Sequence, residues 1–399
     1  MGYKFSSLPK DLVGINSPIE ELEKHLLLDS VDDVRVVGLC GMGGIGKKTL
    51  ATVLYNKISH KFPVCSIIDD LSKMYRHDGP VSAQKQILLQ TLGEEKLQTW
   101  NLYNTSNLIR SRLQHVKAFI ILDNVDQVEQ LEKLVVSREW LGAGSRIIII
   151  SRDEHILEEY GVDVIYKVPL LNKTNSLQLF SQKAFKLDHI ISDYEKLAFS
   201  ILSYANGLPL AIKVVGSFLF GRDIAEWKSA LARLRETPNK DIMDVLRLSF
   251  DGLEEMEKEI FLHLACLFER PYLKYIKNIL NCCGFHADIG LRVLIDKSLI
   301  SIFGGSCVMH NLLRELGRKV AQENISKESR KWSRVWLNEQ FYNVMSENMV
   351  KFLFEKRKLI YIIYIESYSS FSIFLQSFRK RRLKPFLLVE MEMKPERKY

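Results

Sequence analysis

A chain of 399 residues has room for two to three domains, and its apolar content of 47% is that of a folded core, not of a disordered or fibrous chain. The formal charge of +8 is uneven: residues 351–399 hold 12 Lys/Arg and 5 Asp/Glu, which leaves the first 350 residues near neutrality. A basic nucleic-acid-binding face is therefore excluded for the main body and belongs, if anywhere, to the tail.

Residues 1–11 are polar and lack the apolar stretch of a signal peptide. Residues 12–30 read as an extended lead-in and then an amphipathic helix ending near Ser30. Residues 34–40 (VRVVGLC) form an apolar, β-branched run of the kind that makes a buried parallel strand. A Gly-rich turn follows at 41–46, then a helical stretch at 47–60. Strand-like runs recur at 64–68, 118–122 and 146–150, with helical patterns between them. This alternation predicts a parallel α/β sheet that ends near Pro169.

Beyond Leu170 the pattern turns helical, at 175–187, 193–206, 210–221 and 225–236, punctuated by Gly207-Leu208-Pro209. Residues 239–319 are again mostly helical. They contain one hairpin signal, 299–303 and 307–309 around Gly304-Gly305, the pattern of a winged helix. No internal repeat is present. Residues 359–375 are apolar but number only 17 and are broken by Glu366 and four serines. A membrane span needs roughly 20 apolar residues, so no stable span is expected. An Arg-Lys-Arg-Arg run at 379–382 fits a nuclear-import or lipid-contact patch, and the tail is expected to be poorly ordered. The predicted domains are 1–170, 171–238, 239–345 and a basic tail, 346–399.

The six cysteines form no CxxC pair and no Cys/His ligand set. Reduced thiols in a cytosolic chain are expected, without zinc or a disulfide framework.

The sharpest motif is Gly41-Met42-Gly43-Gly44-Ile45-Gly46-Lys47, a GxxxxGK loop between a strand and a helix. Glycines let backbone N–H groups converge on an anion, the helix N-terminus adds positive potential, and Lys47 reaches the terminal phosphates. The position after Lys47 ordinarily carries a hydroxyl for Mg²⁺. Here it is Lys48, with Thr49 one step on, turned by about 100°. A second ammonium near the phosphates favours binding over metal-assisted hydrolysis.

The run Phe119–Asp123 is an apolar strand ending in an acid, 76 residues after Lys47. Asp123 is the candidate metal-holding and catalytic acid. The next residue, Asn124, cannot act as a general base. Residues 144–153 (GSRIIIISRD) place Arg152 at the end of another strand, where it could sense a terminal phosphate.

In this order, GMGGIGK, FIILDNVD, GSRIIIISRD, GLPLAIKVVGSFL and MHNLLRELGRKV resemble the NB-ARC module of plant NBS-LRR disease resistance proteins, over roughly residues 10–345. Asp126 and the KWSRVWL segment at 331–337 are similar to the class with an N-terminal TIR domain. The resemblance implies a P-loop sheet domain, a helical subdomain and a winged-helix subdomain. It also implies a resting state with ADP that exchanges to ATP on activation. Gly41, Gly43, Gly44, Ile45, Gly46, Lys47, Lys48 and Thr49 would surround the phosphates, and Val13 would line the adenine site. Pro209 would pack on the base, Arg152 would be the sensor, and His310 would contact the β-phosphate. On spacing alone, a helix-start proline at Pro209 and a satisfied domain-interface histidine at His310 are the leading readings. The usual Met-His-Asp triplet is here Met309-His310-Asn311, which loses a negative charge.

The expected function is an ADP/ATP-binding switch in plant defence signalling, with Mg²⁺ optional and hydrolysis weak or absent. An active ATPase is the alternative, and a winged-helix DNA-binding regulator a minor one. Other immune-receptor proteins, or further copies of the chain, are the expected partners. Nucleic acid is not expected as one, and no stable membrane span is expected. The cytoplasm, with the nucleus as a second compartment, is the expected location. No TIR-like domain is read before residue 10 and no leucine-rich repeat after residue 345.

Overall fold

The computed structural model describes residues 12–30, 32–92, 102–134, 138–236, 238–268, 270–282 and 284–327. The KWSRVWL segment, the apolar run at 359–375 and the basic run at 379–382 lie outside them.

Helix α1 (Asn16–Leu26) leads to strand β1 (Arg35–Cys40), the Gly-rich turn and α2 (Lys47–Ile58). Then come β2 (Val64–Ile68), α3 (Leu71–Asp78), α4 (Pro80–Leu92), α5 (Leu102–Leu113), β3 (Ala118–Val125) and α6 (Val128–Lys133). Strand β4 (Arg146–Ser151), α7 (Glu154–Tyr160) and β5 (Val164–Lys167) complete the sheet region. The five strands are all parallel, in the order β2-β3-β4-β1-β5. Parallel strands need helical crossovers, which cover both faces, so near-continuous Val/Ile runs are what such strands require.

Alternate residues of those runs feed two cores. Val37, Leu39, Phe119, Ile121, Ile148 and Ile150 pack with α1 and α2. Val36, Ile120, Leu122, Ile147 and Ile149 pack with α3 to α7. The guanidinium of Arg146, fully buried, donates to the carbonyls of Leu27, Ser30 and Asp33 at 2.6–3.0 Å. A buried charge needs such partners, and these tie the α1–β1 connection to the start of β4.

The sequence reading has no strand at β5. Its four residues carry too short a pattern to be seen, and β1 alone pairs with it at the sheet edge. The ladder of β3 also outlasts Leu122. Asn124 takes a left-handed φ of +57°, which Asn tolerates, and pairing with β4 resumes at Val125.

Four helices follow: α8 (Lys173–Ala184), α9 (Glu195–Ala205), α10 (Pro209–Leu219) and α11 (Ile224–Glu236). Asn172 caps α8 through the N–H of Asn175. Buried Trp227 sits against Tyr194 and Phe185, with ring centroids 4.8 and 5.3 Å apart. Its indole N–H donates to the Leu219 carbonyl, so no polar atom of that ring is left unpaired.

The last stretch holds α12 (Lys240–Asp251), α13 (Glu255–Leu267), α14 (Leu273–Cys282), α15 (Ala287–Asp296), the antiparallel hairpin β6 (Ser301–Phe303) and β7 (Ser306–Val308), and α16 (Asn311–Lys327). The hairpin turns through Gly304 and Gly305 at φ +57° and +76°, the two-glycine geometry of a tight hairpin. No described helix is long and apolar enough to cross a membrane. Cys40, Cys65, Cys266 and Cys307 are free thiols.

Candidate functional site

In an open parallel sheet, ligands bind where the strands end at their C-terminal edge. That edge gathers Gly41 after β1, Asp69 and Asp70 after β2, Asp123 late in β3 and Arg152 after β4.

The turn from β1 to α2 runs through positive φ at Gly44 (+79°) and Gly46 (+105°), a backbone that side-chain-bearing residues avoid. Gly46 is the N-cap of α2, and a Cβ built on it meets nothing within 4 Å. Open space thus faces the positive end of the helix. Lys47 is buried, 8% exposed. Its ammonium curls back to donate to the carbonyls of Gly41 and, at 3.1 Å, Met42. Burial, and then the neighbouring Arg152 guanidinium, push its pKa down to about 8. Ile45 is buried beneath the loop, and Thr49 is half-buried on α2.

Arg152 is engaged across the fold. Its Nη1 donates to the Val245 carbonyl at 2.9 Å and the Ser249 hydroxyl at 3.2 Å, both on α12. Gly43 makes room: a Cβ there would lie 3.0 Å from that same nitrogen. The Leu210 N–H donates to the Gly44 carbonyl at 3.2 Å. Pro209, one residue earlier, is the first residue of α10, where its missing N–H costs nothing. Val13 is half-buried in the segment leading into α1, beside Gly14, which Asn175 of α8 approaches closely.

His310 has two protein partners. Its Nδ1 accepts from the Leu312 N–H at 3.2 Å, so Nε2 carries the proton and donates to the Asn206 carbonyl at 3.1 Å. Burial lowers its pKa and keeps it neutral. The β-phosphate role that the resemblance implies would require the ring to leave Asn206.

The acids lie on the other side of α2. Asp123 is 9% exposed, and burial pushes its carboxyl up to about 6 against the pull of Lys48. Lys48 pairs with Asp69 and, at 3.5 Å, with Asp123. Burial works against its charge, but the two acids outweigh it and raise its pKa. Asn124 donates to Asp70 at 2.7 Å. Sequence reasoning missed Asp69 and Asp70; two consecutive acids directly after the β2 run were the available signal. It also missed Val245, Ser249 and Lys297. Lys297, after α15, pairs with Asp153 at 2.7 Å.

The glycine turn and the buried Lys47 fit a nucleotide polyphosphate: the Lys47 ammonium and the half-buried Arg152 guanidinium beside it favour an anion. The residues do not fit magnesium in the usual way. The position that should offer a hydroxyl offers an ammonium, and that ammonium occupies the acids a metal would use.

Fold and loop together define a P-loop nucleotide-binding protein. Among solved structures, the Walker-type ATPase of Pyrococcus abyssi superposes with a TM-score of 0.54 at 13% identity, covering 79% of this chain and 98% of that one. The ORC2 protein of Aeropyrum pernix gives 0.50 at 15% identity, covering 81% and 98%. At such identities the likeness is one of fold alone.

The family is narrower. The NB-ARC domain matches residues 15–189, and the winged-helix domain of Roq1-like disease resistance proteins matches 254–325. Disease resistance protein RUN1 of Vitis rotundifolia is 40% identical over 327 residues, 82% of this chain and 24% of that protein. TMV resistance protein N of Nicotiana glutinosa is 37% identical over 369 residues, 90% of this chain and 31% of that protein. The chain belongs to the NB-ARC family of plant disease resistance proteins, and it spans 24% and 31% of the length of these two relatives.

Proposed function

We propose that the chain is an adenine-nucleotide switch of plant immune signalling, one that retains ADP and hydrolyses ATP slowly or not at all. The observation that carries this reading is the pair of contacts that α10 and α12 make at the phosphate loop. Leu210 donates to Gly44 and Arg152 donates to Val245, so helices from two later regions reach the turn that would hold the phosphates and the arginine beside it.

The backbone N–H groups of Gly44, Gly46 and Lys47 and the Lys47 ammonium would hold the diphosphate, with Val13 and Pro209 flanking the base. The nucleotide supplies a polyanion at the junction. Arg152 is the element with two options: the α12 carbonyl, or the terminal phosphate of a triphosphate. Exchange of ADP for ATP would thus draw Arg152 off Val245 and free α12. Hydrolysis is disfavoured because Asn124 cannot take a proton and Asp123 is paired with a lysine. Immune-receptor proteins or further copies of the chain are the partners such a switch would address, in the cytoplasm or nucleus.

The test is the nucleotide released when purified protein is denatured. ADP at about one per chain is expected. Empty protein, or turnover near 1 per second, a rate ordinary for enzymes, overturns the reading.

A further inference from the structure

We propose that the Lys48 ammonium is a built-in replacement for the magnesium ion, so that this chain binds its nucleotide without a metal. The inference rests on the nucleotide reading above. It concerns this chain's own departure from the GK[ST] pattern.

Lys48 is the second residue of α2, directly after Lys47. The first turn of α2 contains no acid. Two adjacent lysines at the positive end of a helix are locally unfavourable, so something outside the helix must hold the second one. Two strands do. Asp69 follows β2, Asp123 lies in β3, and the sheet order places those strands side by side. Both carboxylates converge on one ammonium.

Successive helical residues point about 100° apart. Lys47 therefore turns to the carbonyls of its own loop while Lys48 turns to the acids. The two cations divide the site: one under the loop, one on its acidic flank. Thr49, one step further, has turned again.

Magnesium binds through short oxygen contacts and keeps most of its water. An ammonium on Asp123 offers none of those oxygens, and it repels a divalent cation approaching the same carboxylate. The ammonium itself is a compact cation with three donors, which is what phosphate oxygens accept. The Lys48 side chain is about half exposed, at 51%, whereas the side chain of Asp123, taken alone, is at 13%. The side chain is thus anchored by the acids but open on the solvent side, where a nucleotide would arrive. The acids place the charge; the charge serves the phosphates.

The experiment compares ATP binding to the purified full chain at saturating Mg²⁺ and in EDTA. The expected wild-type affinities differ by less than about threefold. Lys48→Thr, which restores the hydroxyl, should bind about tenfold or more weakly in EDTA than in Mg²⁺. Lys48→Met, of similar length but uncharged, should lose affinity about tenfold in EDTA relative to wild type. Wild-type binding that collapses in EDTA overturns the proposal by itself, whatever the variants do. So does a Lys48→Met chain that binds as tightly as wild type in EDTA. Magnesium-dependent binding leaves the nucleotide reading standing. Absence of binding under every condition overturns both.

Discussion

The guanidinium of Arg152 donates to the main-chain carbonyl of Val245 at 2.9 Å, joining the end of β4 to the middle of α12 across 93 residues of sequence. A charged donor on a backbone acceptor is a strong form of hydrogen bond, worth roughly 1.5–3 kcal/mol. Arg152→Ala removes it together with the Ser249 contact. Amide hydrogen exchange in Lys240–Asp251 should then rise about tenfold or more, while β1 and β4 keep their protection. Unchanged exchange in α12 would mean that Arg152 does not hold the closed arrangement.

Gly44 combines a φ of +79° with a Cβ direction aimed at Leu210, whose Cβ would lie only 2.7 Å away. Gly44→Ala should cost about 1–3 kcal/mol of stability from backbone strain and overlap together. It should also weaken nucleotide binding. Adding Leu210→Ala removes the overlap but not the strain, so the double variant should recover part of the loss. Urea midpoints of the three proteins check this; full recovery would assign the whole effect to sterics.

Lys47 has its pKa pushed down to about 8 by burial and Arg152, so above that pH the free protein loses the charge. Phosphate binding favours the ammonium and raises the pKa again. ADP affinity should therefore hold steady up to about pH 7.5 and fall as pH rises through 8 to 9.5. The limiting slope is about tenfold per unit, with proton uptake on binding. Calorimetry in two buffers of different ionisation heat measures the proton. Lys47→Arg stays charged and should flatten the profile.

His263, on α13, is 5% exposed, and burial lowers its pKa from 6.5 to about 4. The unfolded chain therefore takes up a proton at a higher pH than the folded one does. The neutral ring's contribution is complete above pH 6.5 and is lost as pH falls toward 4. At pH 5 the loss is about 2 kcal/mol. Urea midpoints at pH 7 and pH 5 should drop by more in wild type than in His263→Leu, which has no ring to protonate. Equal drops would show that His263 charges without cost.

Much of the sheet region was legible because its signals are local. A strand buried on both faces must be a run of Val and Ile, and a turn that crosses positive φ must use glycine, so β1 to β4 and the phosphate loop stand out in a few residues each. Strand β5 was not legible because VIYK is four residues at an edge, with one neighbour and no alternation to read. The helical stretches from α8 to α11 were visible from their breaks, chiefly Gly207-Leu208-Pro209. At the site, residues with an intrinsic geometry were found: the glycines, Lys47 and the proline that starts α10. Residues that matter by contact were missed: Asp69 had only the faint signal of two consecutive acids after β2, and nothing around Val245 or Lys297 marks them apart from their partners.

The sequence alone determined that a phosphate loop sits between a buried strand and a helix, and that the residue after its lysine is a second lysine. It also determined the family, because the motif order needs no coordinates. Only the tertiary structure decided where that second ammonium goes. An ion pair is chosen by which backbone edges the sheet order brings together, and Asp69 and Asp123 reach Lys48 from two different strands. The same holds for Arg152 on Val245 and His310 on Asn206, each about a hundred residues away along the chain. Periodicity and turn chemistry act over a few residues, whereas charge pairing acts through space.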